Sequence, residues 1–208
     1  MSRKKTITAI VVVLLAAVAL VVTSVGGNDK DTPSPQEVDG AFTAQMIPHH
    51  EGAIEMAEMA QTSSEHPQIK KLANEIIETQ NAEIGELEAI GERLSAESAD
   101  GDLGMDDSMM GMDMDMGSLE TADPFDREFI DQMIAHHQGA IRMARVALRD
   151  GEDREVQELA LAIVDAQAVE ILRMNEWREK WYGAPSPSGG VPSLDEPAPV
   201  EGEGEAHH

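Results

Sequence analysis

One segment of this chain occurs twice. Phe42 to Ala60 returns as Phe129 to Ala147, identical at twelve of nineteen positions. The offset of 87 residues then continues without a gap. Ile69, Leu72, Ala73, Ile76, Gln80, Glu83 and Ile84 align with Val156, Leu159, Ala160, Ile163, Gln167, Glu170 and Ile171. A repeat of this length is a supersecondary unit that stacks on its neighbour to bury a face. At ~100° per residue, Phe42, Met46, His49, His50, Ala53, Met56, Ala57 and Ala60 fall within about 120° of arc, with Glu51, Glu55 and Glu58 opposite. In the following segment Ile69, Leu72, Ala73, Ile76, Leu87 and Ile90 form a stripe that includes Gln80 and Glu83. The unit is therefore a helical hairpin, and two such hairpins pack most simply as an antiparallel four-helix bundle. The expected class is all-α.

Local signals place the expected helices at residues 39–63, 66–95, 121–149 and 153–182. Pro67 and Pro124 suit first-turn positions, and Gly183 reads as a C-terminal stop. Pro48 removes the bond to Ala44 and should kink the first helix, whereas the matching Ala135 leaves the third intact. Between the hairpins, residues 96–120 contain Met105, Met109, Met110, Met112, Met114 and Met116 among Gly, Asp and Ser. That stretch has no helical or strand period and is expected to be a mobile loop whose methionines lie outside the core. Residues 183–208 are rich in Pro, Gly and Glu and are expected to be a disordered acidic tail.

At the N-terminus, Arg3, Lys4 and Lys5 precede an uncharged run from Thr6 to Val25. As a helix at ~1.5 Å per residue, that run spans about 30 Å, a bilayer's hydrocarbon thickness. Residues 1–27 are expected to be a membrane anchor with its basic end inside, residues 28–38 a linker, and residues 39–182 the duplicated bundle (39–95 and 121–182) outside the cytoplasm. Cleavage near Ser24 would release the same domain as a secreted protein. The 40 acidic residues against 15 basic ones give a net charge of −25, which repels nucleic acid and attracts cations.

The chemistry resides in the paired histidines. Each hairpin puts two His, one Gln and one Glu on a face that should be buried, and buried polar groups need partners. One reading makes His50–Glu83 and His137–Glu170 fold-specifying pairs. Another makes His49, His50, His136 and His137, with Met46, Met56, Met133 and Met143, a metal site, with Gln80, Glu83, Gln167 and Glu170 supporting it. The chain has no cysteine, so soft ions must be held by thioether and imidazole, a donor set suited to Cu(I), Ag(I) or Cu(II). The six loop methionines would form an exchangeable capture site. A third reading is a ferritin-like di-metal redox enzyme, but inward-facing Glu-x-x-His is missing and Gln80 and Gln167 stand where carboxylates would help.

The motif Phe-x-x-x-Met-Ile-x-His-His-x-Gly-Ala-Ile-x-Met-Ala, followed by Gln-x-x-Glu-Ile, resembles the domain of unknown function 305 family, which includes CopM-like copper metallochaperones. Both copies are present, covering about residues 39 to 182. The resemblance implies a ferritin-like bundle and, from the CopM-like members, extracytoplasmic copper binding and resistance, with Met46, His49, His50, Met56, Met133, His136, His137 and Met143 as the matching positions; a binding protein and not an enzyme is expected. Delivery of the ion would call for a partner protein, which the sequence does not identify.

Overall fold

The computed structural model describes residues 33–94 and 102–193. Five helices, and no strand, occur among them: α1 (Pro35–Ser63), α2 (Pro67–Arg93), α3 (Met116–Thr121), α4 (Phe125–Asp150) and α5 (Arg154–Tyr182). The expected membrane segment lies outside the described residues. No helix within them is long and apolar enough to cross a bilayer.

Helix α1 begins four residues before its expected start, because Ser34 and Glu37 form a capping box. The Glu37 amide donates to Ser34 Oγ and the Ser34 amide donates to the Glu37 carboxylate, with Pro35 in the first turn. The helix runs through Pro48 as one element to Ser63. Pro67 opens α2. The Asp153 carboxylate caps α5 by accepting from the Glu155 and Val156 amides. Gly183, at φ 84°, closes α5 in the left-handed conformation that glycine adopts without a Cβ penalty.

The turns Ser64–His66 and Gly151–Asp153 are too short to allow anything but antiparallel neighbours, so α1 lies against α2 and α4 against α5. Two buried carboxylates set the remaining packing, that of α1 on α4. Asp39, at the start of α1, accepts from the Glu152 and Asp153 amides just past the end of α4, at 3.0 and 2.8 Å. Asp126, one repeat later at the start of α4, accepts from the Glu65 and His66 amides just past the end of α1, at 3.1 and 3.0 Å. Each hairpin thus clamps the other's turn, and α1 and α4 run antiparallel under a pseudo-two-fold relation.

Burial divides the interior into three levels. One apolar cluster holds Phe42, Met46, Leu87, Ile90, Met143, Val156, Leu159 and Ile163. The other holds Met56, Ile69, Leu72, Ile76, Phe129, Met133, Ile171 and Met174. On every long helix a polar pair falls between the two: His49 and His50 on α1, Gln80 and Glu83 on α2, His136 and His137 on α4, Gln167 and Glu170 on α5.

Two expectations need correction. The methionine-rich stretch is not a loose loop with its methionines outside the core. Met105 is only 7% exposed and belongs to the first cluster, against which Met109 and Met110 also pack. Met114 and Met116 pack on the second. Its Asp side chains supply the order that its missing periodicity concealed: Asp106 accepts from the Met109 amide, and Asp115 caps α3 through the Ser118 amide. The part of this stretch from 95 to 101 lies outside the described residues. The C-terminal segment is likewise packed as far as Ser193. Gln138 Nε2 donates to the Ser188 and Gly190 carbonyls, and Arg145 donates to those of Pro192 and Ser193. A Pro- and Gly-rich segment offers carbonyls that its own backbone leaves unused, and polar side chains of α4 collect them. Residues 194–208 lie outside the described residues.

The clamps generate a prediction. A charged acceptor of two part-buried amides contributes several kcal/mol. Asp39→Ala and Asp126→Ala should each destabilise the folded chain by about 2–4 kcal/mol, and Asp→Asn, which keeps one oxygen, by less. The clamps sit at opposite ends of α1, so the double variant should be additive. Urea unfolding followed by circular dichroism measures this. A loss below about 0.5 kcal/mol for both alanine variants would remove the clamps as determinants of the fold.

Candidate metal centre

Helices α1 and α4 bring the two copies of the His-His pair together at the middle of the bundle. All four histidines are fully buried. The His49 and His136 rings face each other with centroids 3.8 Å apart. Their partners point the other way, toward α2 and α5. His137 Nε2 donates to Glu170 at 2.7 Å. His50 Nε2 lies 2.8 Å from Glu83 in a close contact that lacks hydrogen-bond alignment. The His–Glu pairing inferred from the sequence is therefore present for two of the four histidines, and the other two are differently engaged.

Burial keeps the inner pair neutral. The His49 pKa is lowered to about 3, first by desolvation and then by neighbouring His50. That of His136 is lowered well below its ordinary value by desolvation, then by His49, His137 and His50. In each case the main chain of the opposite histidine opposes the shift, as the smallest contribution. A neutral imidazole has one N–H and one lone pair, the form in which it ligates a metal.

Among the described residues, nine buried side-chain atoms of this layer have no aligned hydrogen-bond partner: His49 Nδ1, His50 Nδ1 and Nε2, His136 Nδ1 and Nε2, His137 Nδ1, Gln80 Oε1, and Gln167 Nε2 and Oε1. Each buried polar atom left unpaired costs about 1–3 kcal/mol, and such a concentration in a native chain calls for a functional explanation. Among the described residues no three His, Cys, Asp or Glu side chains converge as a metal-binding group.

The expected thioethers divide into two sets. Met46 and Met143 are fully buried in the apolar cluster on one side of the histidine layer, and Met56 and Met133 in the cluster on the other side. The methionine-rich segment instead reaches the histidines themselves. Met110 contributes its carbonyl, which accepts from His49 Nε2 at 2.8 Å. Met114 brings its side chain over Gly52. A Cβ added at Gly52 would lie 2.5 Å from Met114 Cε and 3.5 Å from both Met114 Sδ and His136 Nε2. Met105, Met109, Met112 and Met116 are buried or half-buried along the same path.

Sequence reasoning missed three participants: the Met110 carbonyl, the two glycine seats, and the clamping aspartates. The glycines did carry a signal, since Gly52 and Gly139 are repeat equivalents three residues after the first histidine. So did the aspartates, since Asp39 and Asp126 share the 87-residue offset.

The family model described as Domain of unknown function (DUF305) matches residues 39–178 and, in a second match, residues 126–202. The two matches start at the two clamping aspartates. CopM, solved in a Cu(I)-bound form, is 40% identical with a TM-score of 0.60, covering 70% of this chain and 98% of that one. CopM has also been solved in Cu(II)-bound and Ag-bound forms. A DUF305 fragment from Deinococcus radiodurans is 30% identical, with a TM-score of 0.58 over 72% of this chain and 99% of its own. A putative secreted DUF305 protein from Streptomyces coelicolor, at 24% identity and a TM-score of 0.64, covers 74% and 98% and shares the fold. Among curated proteins none matches this sequence. The chain belongs to the DUF305 family.

Proposed function

We propose that this protein binds copper as cargo, outside the cytoplasm, and holds it for delivery or sequestration without catalysing a reaction. The observation that carries this reading is the layer of buried histidines with unpartnered ring nitrogens, two of them held neutral, lying against thioethers. Neutral imidazole and thioether together form a donor set that takes Cu(I) and Ag(I) and neglects Mg and Ca. The similarity to CopM, solved with Cu(I), Cu(II) and Ag, supports the same cargo.

In this reading His49, His50, His136 and His137 supply the nitrogen ligands, and the Met105–Met116 stretch supplies the exchangeable sulfur. Glu83 and Glu170 orient His50 and His137 from outside, as carboxylates behind ligating histidines do. Met46, Met56, Met133 and Met143 bound the site above and below. The basic flank and apolar run of residues 1–27 tether the domain to the outer face of a membrane, and the bundle is of the ferritin-like type. The strongly acidic composition concentrates cations around the domain.

Changing all four histidines to Ala should abolish tight Cu(I) binding, read by competition with a chromophoric chelator, while circular dichroism checks that the helices persist. Survival of the tight site in a folded quadruple variant would refute the assignment. Glu83→Gln with Glu170→Gln should weaken Cu(I) less than tenfold, because Gln keeps an oxygen that accepts from the ring N–H and a soft ion has no need of oxygen ligands. A carboxylate-bridged di-metal site would lose its metal altogether in that variant, and that result would favour an oxidoreductase.

A further inference from the structure

The two histidine pairs are equal in sequence, but the structure treats them differently, and the difference lies in what sits on the two equivalent glycines. Over Gly139 lies main chain. The Met110 carbonyl occupies the place where a Cβ would go, and the Gly111 amide nitrogen would be 2.7 Å from it. Gly111 itself, at φ 70°, sits against the Ala135 carbonyl and the His136 backbone, where a Cβ would lie 2.6 to 3.1 Å from them. Bare backbone on bare backbone is what only glycine permits. Over Gly52 the nearest atoms are those of side chains, the flexible end of Met114 and His136 Nε2.

This asymmetry reaches the ring nitrogens. A carbonyl oxygen only accepts, so His49 Nε2, 2.8 Å from the Met110 carbonyl, must carry the hydrogen. That nitrogen has no lone pair to offer. Among the described residues the corresponding nitrogen of His136 has no aligned hydrogen-bond partner; it is fully buried and shares the space above Gly52 with the Met114 sulfur.

We propose that the Met110–Gly111 backbone, seated on Gly139, occupies His49 Nε2 and so turns two equivalent half-sites into one: the first soft ion is taken by His136 Nε2 and the Met114 thioether, over Gly52. The inference rests on the soft-metal reading above and assigns its first ligands. Met110 acts through its carbonyl and Met114 through its sulfur, so two methionines of one segment have opposite sensitivities to loss of sulfur. Gly139 is a positioning residue, because it admits the carbonyl that keeps His49 Nε2 from the first ion.

The test uses the full chain in detergent micelles, with 15N-labelled histidine and Ag(I) as the probe. Without metal, His49 should show the Nε2–H tautomer. The first equivalent of Ag(I) should shift His136 Nε2 and the Met114 methyl while leaving the His49 Nε2–H resonance in place. Met114→Leu should weaken this first Ag(I) at least tenfold, whereas Met110→Leu, which keeps the carbonyl, should stay within twofold. Gly139→Ala should free His49 Nε2 and admit a second ion there. The proposal is overturned if His49 lacks the Nε2–H tautomer, if the first Ag(I) shifts His49 Nε2, or if Met110→Leu weakens binding as much as Met114→Leu. If Ag(I) moves no ring nitrogen of the four histidines, the soft-metal reading itself fails, a result distinct from the other three.

Discussion

The reciprocal clamps of Asp39 and Asp126 set the geometry on which the rest of the structure depends. A helical hairpin with one apolar stripe can meet a second hairpin in several registers, since burial alone is nearly indifferent to sliding by a turn. A carboxylate that accepts from two adjacent amides is not indifferent, because its hydrogen bonds are directional and fail within a fraction of an ångström. With one clamp at each end of the α1–α4 seam, the register has a single solution. In that solution His49 faces His136.

The polar layer follows from the same register and opposes stability. It breaks the apolar interior into two clusters, and it contains more unpaired buried nitrogen and oxygen than a structural role requires. The two His–Glu contacts satisfy the outward-facing histidines in part, while of the inner pair His49 donates to the Met110 carbonyl and His136 has no aligned partner among the described residues. A chain that retains such a layer must offset it elsewhere. Well-filled clusters of Phe, Ile, Leu and Met on either side, together with the clamps, are where the offset resides.

Much of this was legible in the chain. The 87-residue offset carries the hairpins, and helical spacing carries the inward direction of His50, Gln80, Glu83 and their counterparts. The start of α1 was hidden because Ser34 and Glu37 lie in a stretch of linker composition, where a capping box outweighs composition. The methionine-rich segment was misjudged because periodicity reports only regular structure. Its order comes from Asp side chains accepting from nearby amides, and from an irregular backbone resting on α4. The C-terminal segment up to Ser193 escaped for a related reason, since its contacts are carbonyls received by Gln138 and Arg145 from another element. Which histidine meets a carbonyl and which a sulfur cannot be read from identical motifs; it is a property of the connecting segment.

The pseudo-two-fold relation of the hairpins has a further consequence. Two hairpins that clamp each other's turns have the symmetry of an isologous dimer, enclosed in one polypeptide. In a dimer of identical subunits, every substitution appears twice, and two central histidines must experience the same surroundings. A single chain is released from that obligation. The linker can cross only one of the two equivalent faces at a given point, and so the covalent connection itself makes twins distinguishable. Position 66 shows the same release at the end of the bundle: it is a histidine stacked on Trp181 in one copy, and an aspartate capping a helix at the matching position 153 in the other.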